Sequence, residues 1–452
     1  MWKESKRIRM PRQASEIIRT LQEAGFEAYA VGGCVRDSLL GRTPDDWDIT
    51  TSAKPQQVKA LFRRTIDTGI AHGTVTVMQG RTGYEVTTYR IDGDYEDGRH
   101  PKGVTFTASL AEDLKRRDFT VNAMAYNGEE GLVDLFGGRE DMERRTIRCV
   151  GDPKERFGED ALRMMRAVRF SAQLDYAIGE ETLEAIRALS GTLSKISAER
   201  IRTELMKLLV SGHPERFLTC YETGMTAVFL PEFDRMMETG QNNPHHRYGV
   251  GEHCLAAAVR IRPDPALRLA ALLHDVGKPE TKTSGEDGRD HFYGHAARGA
   301  ELAKKILRRL KFDNDTADRV VRLVREHDRE IGLTPAQMRR AINRVGEDLF
   351  PDLFDLKEAD LLAQSGYCRE AKAEELKRLR TLYEEVRAKG DCLSLKGLAV
   401  TGRDLMEIGA APGPGLGALL KELLELVLED PAQNRKETLL DYAQERLAGG
   451  DS

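Results

Sequence analysis

Residues 28–51 read AYAVGGCVRDSLLGRTPDDWDITT, and the order of residue types in that stretch decides the fold of everything before the first long helices. Ala28 to Val31 is a short apolar run of strand character, and Gly32-Gly33 lets the backbone turn tightly before a helix that begins near Cys34. The free N–H groups at that helix start favour a phosphate. Arg36 in the first turn brings a guanidinium within reach of the same anion, and Asp37 complements the positive end of the helix dipole. Asp46-Trp47-Asp48-Ile49 then reads as a second strand, whose period of two places both carboxylates on one face, Cα atoms roughly 7 Å apart, and sends Trp47 and Ile49 to the other. Two carboxylates so placed suit a pair of Mg²⁺ ions about 3.5–4 Å apart, which activate a hydroxyl and stabilise a leaving pyrophosphate. A solvated strand end, with Asp45 as a third exposed acid, is the plainer alternative.

Working outward, the head continues as a small mixed sheet with helices on it. Ala14, Ile17, Ile18, Leu21 and Ala24 form a helical stripe closed by Gly25, and Pro55 starts a short helix over 55–63. Thr74 to Met78 and Tyr84 to Arg90 read as strands around a turn at Arg81-Thr82-Gly83. Glu85 on the second of these is read as an edge carboxylate paired with a base, with a third acid beside Asp46 and Asp48 as the alternative. Residues 92–104, DGDYEDGRHPKGV, have no periodicity and read as a mobile loop.

Arg116-Arg117-Asp118-Phe119-Thr120-Val121-Asn122-Ala123 is the second informative string. Two adjacent arginines offer a fork for triphosphate oxygens, and Asp118 and Asn122 can bond a ribose 2′-hydroxyl. Asp134-Leu135-Phe136-Gly137-Gly138 reads as a hinge. Glu159 to Phe170 is amphipathic and reads as one helix, in which Asp160 and Arg163 point the same way and Arg166 follows a turn later. An Asp accepting from an exocyclic amine beside an Arg donating to a ring nitrogen complements cytosine and adenine, whereas uracil and guanine present the opposite polarity. The alternative is an i,i+3 salt bridge on a helix surface. Ser197-Ala198-Glu199-Arg200 starts the next helix with a serine cap, and Glu199 and Arg200 are read as structural.

Gly32-Gly33-x-Val35-Arg36-Asp37 with Asp46-x-Asp48, the RRDFTVNA string and Glu159-Asp160-x-x-Arg163 together resemble the motifs of the class II tRNA nucleotidyltransferases, that is, the CCA-adding enzymes and bacterial poly(A) polymerases. The resemblance implies an α+β protein with a polymerase-beta-like nucleotidyltransferase head over 1–150 and an all-helical neck over 151–244. It implies Asp46 and Asp48 as catalytic Mg²⁺ ligands, with Gly32, Gly33, Arg36, Arg117, Asp118, Asn122, Asp160, Arg163 and Arg166 on the nucleotide. It also implies tRNA, ATP and CTP as partners and the 92–104 loop as the device that switches C to A addition. A poly(A) polymerase or a partial CC- or A-adding enzyme shares these motifs.

Farther along, His253, His274-Asp275, His295, His327 and Asp360 each lie in or beside an apolar-periodic helix, and neutral imidazoles with carboxylates suit a transition metal or a mixed pair of ions. The string resembles the HD phosphohydrolase superfamily, which implies an HD-type helical domain over 245–385. The implied accessory activity is hydrolysis of phosphate or 2′,3′-cyclic phosphate ends, with two alternatives: a dormant site on a retained fold, or a chain that is mainly an HD phosphohydrolase with a vestigial transferase head. The other histidines read as ordinary core or surface residues, and the basic run from Arg298 to Arg325 as a solvated helix face. Residues 386–452 form a helical tail, resembling the C-terminal segment of the longer bacterial enzymes, in which Pro412-Gly413-Pro414-Gly415 read as turns.

Composition sets outer limits. At 452 residues the chain exceeds one typical core, so several domains are expected. No apolar run approaches the 18 or so residues of a membrane span, and the start MWKESKRIRM lacks a signal peptide's apolar core, so a cytoplasmic protein without membrane contact is expected. Six scattered cysteines with no C-x-x-C spacing indicate neither a zinc ribbon nor a disulfide framework. A net charge of −5 argues against indiscriminate nucleic-acid binding while leaving room for a local basic surface.

Overall fold

The computed structural model describes residues 8–92, 104–242, 248–286 and 288–448. The loop expected over 92–104 lies almost wholly outside them, as do His100, His245 and His246. The chain divides into two compact units, one up to residue 231 and one from residue 232.

The first unit opens with α1 (Arg12–Glu23), whose buried face is Ala14, Ile17, Ile18 and Leu21, followed by Gly25 at φ +84°. Then come β1 (Ala28–Val31), α2 (Gly33–Leu39), β2 (Ile49–Thr51) and α3 (Pro55–Leu61). Strands β3 (Thr65–Gly69), β4 (Thr74–Gln79) and β5 (Thr82–Thr88) follow, then the hairpin β6 (Arg90–Asp92) and β7 (Val104–Phe106). After α4 (Leu110–Lys115), β8 (Met124–Asn127) and β9 (Gly131–Asp134) complete a seven-stranded sheet of order β3-β4-β5-β2-β1-β8-β9. All four residues of β1 are buried, as a strand covered on both faces requires, and Tyr29, Val31, Tyr89, Leu114 and Ala125 make one of its core clusters. β2 runs parallel to β5, with Ile49 opposite Val86, and antiparallel to β1, with Ala30 opposite Ile49.

Asp46 and Asp48 are therefore not within the strand as expected: β2 begins at Ile49, and the acids sit on the extended backbone leading into it. The expected alternation survives, because Val31 N–H bonds the Asp48 carbonyl at 3.0 Å and Trp47 and Ile49 are both buried.

The rest of the unit is α5 (Gly138–Glu143), the parallel pair β10 (Thr146–Ile147) and β11 (Ala177–Ile178), and helices α6 (Pro153–Glu159), α7 (Leu162–Leu174), α8 (Glu180–Leu189) and α9 (Ala198–Leu209). Short helices α10 (Leu218–Glu222) and α11 (Thr226–Phe229) close it. The segment read as a hinge is a packed corner: the Asp134 carboxylate accepts from the N–H groups of Gly138 and Arg139, and a Cβ at Gly138 would stand 2.4 Å from the Thr120 carbonyl oxygen. Ser197 does occupy the N-cap position of α9, but its hydroxyl makes no cap bond.

The second unit is helical, beginning with α12 (Pro231–Glu238) at the boundary. It continues through α13 (Val250–Arg260), α14 (Pro265–Leu273), α15 (Lys278–Thr281), the small hairpin β12 (Thr283–Ser284) and β13 (Asp290–His291), α16 (His295–Arg309), α17 (Asn314–Glu326), α18 (Pro335–Val345), α19 (Phe350–Ala363) and α20 (Arg369–Lys389). Helices α21 (Gly402–Glu407), α22 (Pro414–Glu429) and α23 (Lys436–Ala448) build a separate apolar cluster around Leu405, Leu423 and Leu439. Pro414 and Gly415, read as turns, are the first turn of α22. Within the basic run, Arg298 pairs with Glu280, Arg309 with Glu232 and Arg319 with Asp352. No helix among the described residues is long and apolar enough to cross a membrane.

Candidate active site

The glycine turn and the acidic stretch meet at one end of the head sheet. Gly32 has φ +84°, a left-handed conformation that disfavours any side chain, and a Cβ there would stand 3.1 Å from Arg117 Nη1. Arg117 therefore lies directly over the turn, and its Nε is buried without a hydrogen-bond partner. Asp48 is pushed up to about 6, first by burial and then by Asp46, with Glu85 adding to the rise and Arg117 opposing it. Three carboxylates and one guanidinium thus share a space where a cation would relieve the acids and an anion the arginine. Glu85 lies one step from the Ile49–Val86 pair on β5, which runs parallel to β2 and is flanked by β4 on its other side, so it is not an edge residue and its charge contributes to the rise at Asp48.

The two adjacent arginines do not act as a fork. Arg116 Nε is held at 2.9 Å by Asp113 in its own helical turn, which leaves Arg117 as the one over Gly32. Arg36 is buried at the turn and does not face an open anion site. Its Nε and Nη2 each lie 2.9 Å from the Asp37 carboxylate and its Nη1 lies 2.6 Å from Asn122 Oδ1, so it orients Asn122. Asp118 bonds Asn122 Nδ2 at 3.3 Å and receives Arg166 Nε at 2.7 Å. Burial alone would raise the Asp118 pKa, yet Arg166 and Arg163 hold it at about 2. Arg36, Arg166 and Arg169 all stand over the Phe170 ring, at 5.2, 5.3 and 3.9 Å from its centroid.

The segment expected as one helix from Glu159 is broken. Asp160 ends α6 in an extended conformation, and its Oδ1 accepts the Leu162 N–H at 3.0 Å at the start of α7. Asp160 and Arg163 consequently do not pair with each other along a helix face. Arg163 bonds Glu159 at 2.5 Å and the Arg116 carbonyl at 3.1 Å, while Arg200 Nη2 holds Asp160 at 2.7 Å. Arg200, read as structural from the sequence, fixes the orientation of Asp160. The signal that would have found it is the unpartnered acid just ahead of a helix start.

All six residues of the second constellation come together within the second unit. Asp275 Oδ2 lies 3.3 Å from His274 Nε2 and 3.8 Å from His253 Nε2, and Asp275 Oδ1 lies 3.4 Å from both His295 Nε2 and His327 Nε2. Asp360 closes the first pair, 2.8 Å from His253 and 3.6 Å from His274. The ring nitrogens Nδ1 of His274, His295 and His327 are bound to the carbonyls of Ala271, Phe292 and Val324 at 2.8, 2.8 and 2.7 Å. A carbonyl only accepts, so these Nδ1 atoms are donors, and it is the Nε2 atoms that face inward toward the carboxylates. The Nε2 atoms of His295 and His327 lie 3.3 Å apart, and His274 Nε2 is buried without a hydrogen-bond partner. Asp275 and Asp360 stay ionised despite burial, Asp275 chiefly through Lys278 and His274 and Asp360 through His253 and His274. That donor set fits a divalent cation.

Three family models match the chain: a poly A polymerase head domain over 28–148, a probable RNA and SrmB binding site of polymerase A over 175–237, and a putative tRNA nucleotidyltransferase domain 2 over 295–443. The chain is 37% identical to the CCA-adding enzyme of Levilactobacillus brevis, over 94% of this chain and 96% of that one. It is 35% identical to that of Enterococcus faecalis, over 97% of both. Among solved structures it resembles the Bacillus stearothermophilus CCA-adding enzyme in complex with CTP, at a TM-score of 0.73 and 32% identity over 98% of this chain and 99% of that one.

Proposed function

The chain belongs to the CCA-adding enzymes, and from that premise we propose how its own residues add CMP, CMP and AMP to the 3′ end of tRNA without a nucleic-acid template. The observation that carries the reading is the seat of Arg117 over the Gly32 turn, facing Asp48: the phosphate-binding cation and the metal-binding acids meet at one point. Arg117 and the N–H groups of the turn hold the triphosphate of ATP or CTP, and Gly33 keeps the approach open. Asp118 and Asn122 bond the ribose, oriented by Arg166 and Arg36. Asp160 accepts from the N4 or N6 amine and Arg163 donates to N3 of cytosine or N1 of adenine. Asp46 and Asp48 would hold divalent ions, Mg²⁺ in this reading, whose chemistry when bound would be to lower the pKa of the terminal hydroxyl and stabilise the departing pyrophosphate. Residues 1–150, 151–244, 245–385 and 386–452 serve as head, neck, HD domain and tail.

The test uses tRNA lacking one, two or three terminal nucleotides with single NTPs. Growth to CCA and then a stop is expected; an A tail longer than one residue marks a poly(A) polymerase instead. Asp46→Ala or Asp48→Ala should lower addition by about 10³-fold or more, whereas His274→Ala should leave it intact.

A second activity rests on the inward-facing Nε2 atoms of the second unit. His253, His274, Asp275, His295, His327 and Asp360 would hold a divalent transition metal, whose chemistry when bound would be to lower the pKa of a water for hydrolysis of phosphate ends. Release of phosphate from an ester by the wild type and not by His274→Ala checks it.

A further inference from the structure

Asp113 is fully buried in α4, where a lone carboxylate would be strongly disfavoured, and each of its contacts leads to a different part of the active site. Its Oδ2 accepts the Thr50 hydroxyl at 2.9 Å. Thr50 lies two residues along from Asp48, on the strand that follows the acid. Oδ1 accepts Arg116 Nε at 2.9 Å and the Arg90 backbone N–H at 3.4 Å, at the first residue of β6. Arg117 Nη2 stands 3.7 Å from Oδ2. Arg117 is thus surrounded by three carboxylates, Asp113, Asp48 and Asp118, the last of which Arg166 already neutralises.

We propose that Asp113 is a positioning residue for nucleotidyl transfer, whose charge holds Arg117 back from Asp48 so that the guanidinium stays available to the triphosphate and the carboxylate to a divalent ion. A guanidinium in a poorly solvated site settles against the nearest uncompensated carboxylate. With Asp113 neutral, that neighbour is Asp48, and Arg117 then competes with the metal for the same oxygens. The inference rests on the reading that Asp46 and Asp48 bind divalent ions.

Asp113→Asn keeps the shape and an oxygen for the Thr50 hydroxyl while removing the charge. The Kd for CTP, measured by calorimetry in Mg²⁺ without tRNA, should rise about tenfold, or about 1.4 kcal/mol. The Mg²⁺ concentration for half-maximal CMP addition should also rise about tenfold, while kcat at saturating CTP and Mg²⁺ stays within about twofold. Thr50→Val, which removes the contact and leaves the charge, should keep the wild-type Mg²⁺ dependence. A folded Asp113→Asn enzyme in which either the CTP affinity or the Mg²⁺ dependence is unchanged overturns the proposal. If that variant shows no cooperative melting, Asp113→Asn with Arg116→Gln removes a whole buried pair and carries the same two outcomes. A wild-type enzyme indifferent to EDTA would instead sink the metal reading itself.

Discussion

Asp118 shows how much a single side chain of this site has been asked to do. Its carboxyl is held at about 2, against an ordinary value near 3.8, by two arginines from the helical part of the unit. A carboxyl depressed on folding stabilises the native state above its unfolded pKa and loses that contribution as pH falls through the folded one. About 2 kcal/mol is therefore present at neutral pH and should vanish between about pH 4 and pH 2. Urea unfolding of the wild type and Asp118→Asn across that range should show the stability difference shrinking as acid is added; a constant difference would mean the arginines do not act through charge. At this scale the sequence was informative about residue types and poor about partners. The RRDFTVNA string marks the right neighbourhood, but Arg116 and Arg117 are chemically identical, and only the place of Asp113 one turn earlier decides which is tied down. Arg36 was legible only in part: Asp37 is its neighbour in sequence, but Asn122, which its Nη1 bonds, lies far along the chain.

At the scale of elements, the glycine turn, the alternation at Asp46 to Ile49 and the sheet-and-helix order of the head were legible because each depends on local periodicity. The break at Asp160-Ala161 was not, because an unbroken apolar stripe from Leu162 onward masks it. Gly158 and an acid two residues ahead of the helix were the available signals. The break has a use: it frees the Asp160 side chain from the helix surface and lets Arg200 of α9 grip it. Arg200→Gln should consequently loosen base choice more than it slows addition. UMP incorporation relative to CMP should rise about tenfold, an ordinary consequence of losing about 1.4 kcal/mol of orientation. Single-nucleotide assays on tRNA ending before CCA measure it, and unchanged discrimination would leave Arg200 a brace only. Glu85 teaches the converse lesson, since no local pattern reveals that β5 lies parallel to β2.

Across the whole molecule the histidines and acids of the second constellation were readable as a set because their spacing is filled throughout, although the mutual placement of the five helices that carry them is not fixed by sequence alone. Exhaustive EDTA dialysis should lower the melting transition of the second unit by ~5–10 °C, and Mn²⁺ or Zn²⁺ should restore it. His274→Ala should not respond, and scanning calorimetry would show whether that holds. Three of the rings are aimed by main-chain carbonyls, not by side chains. A peptide oxygen is present whatever residue carries it, so drift at Ala271, Phe292 or Val324 cannot erase the aim of the imidazoles. The aim of those rings therefore outlasts any change at the residues beneath them, and only the imidazoles and carboxylates themselves remain as places where substitution could undo the centre.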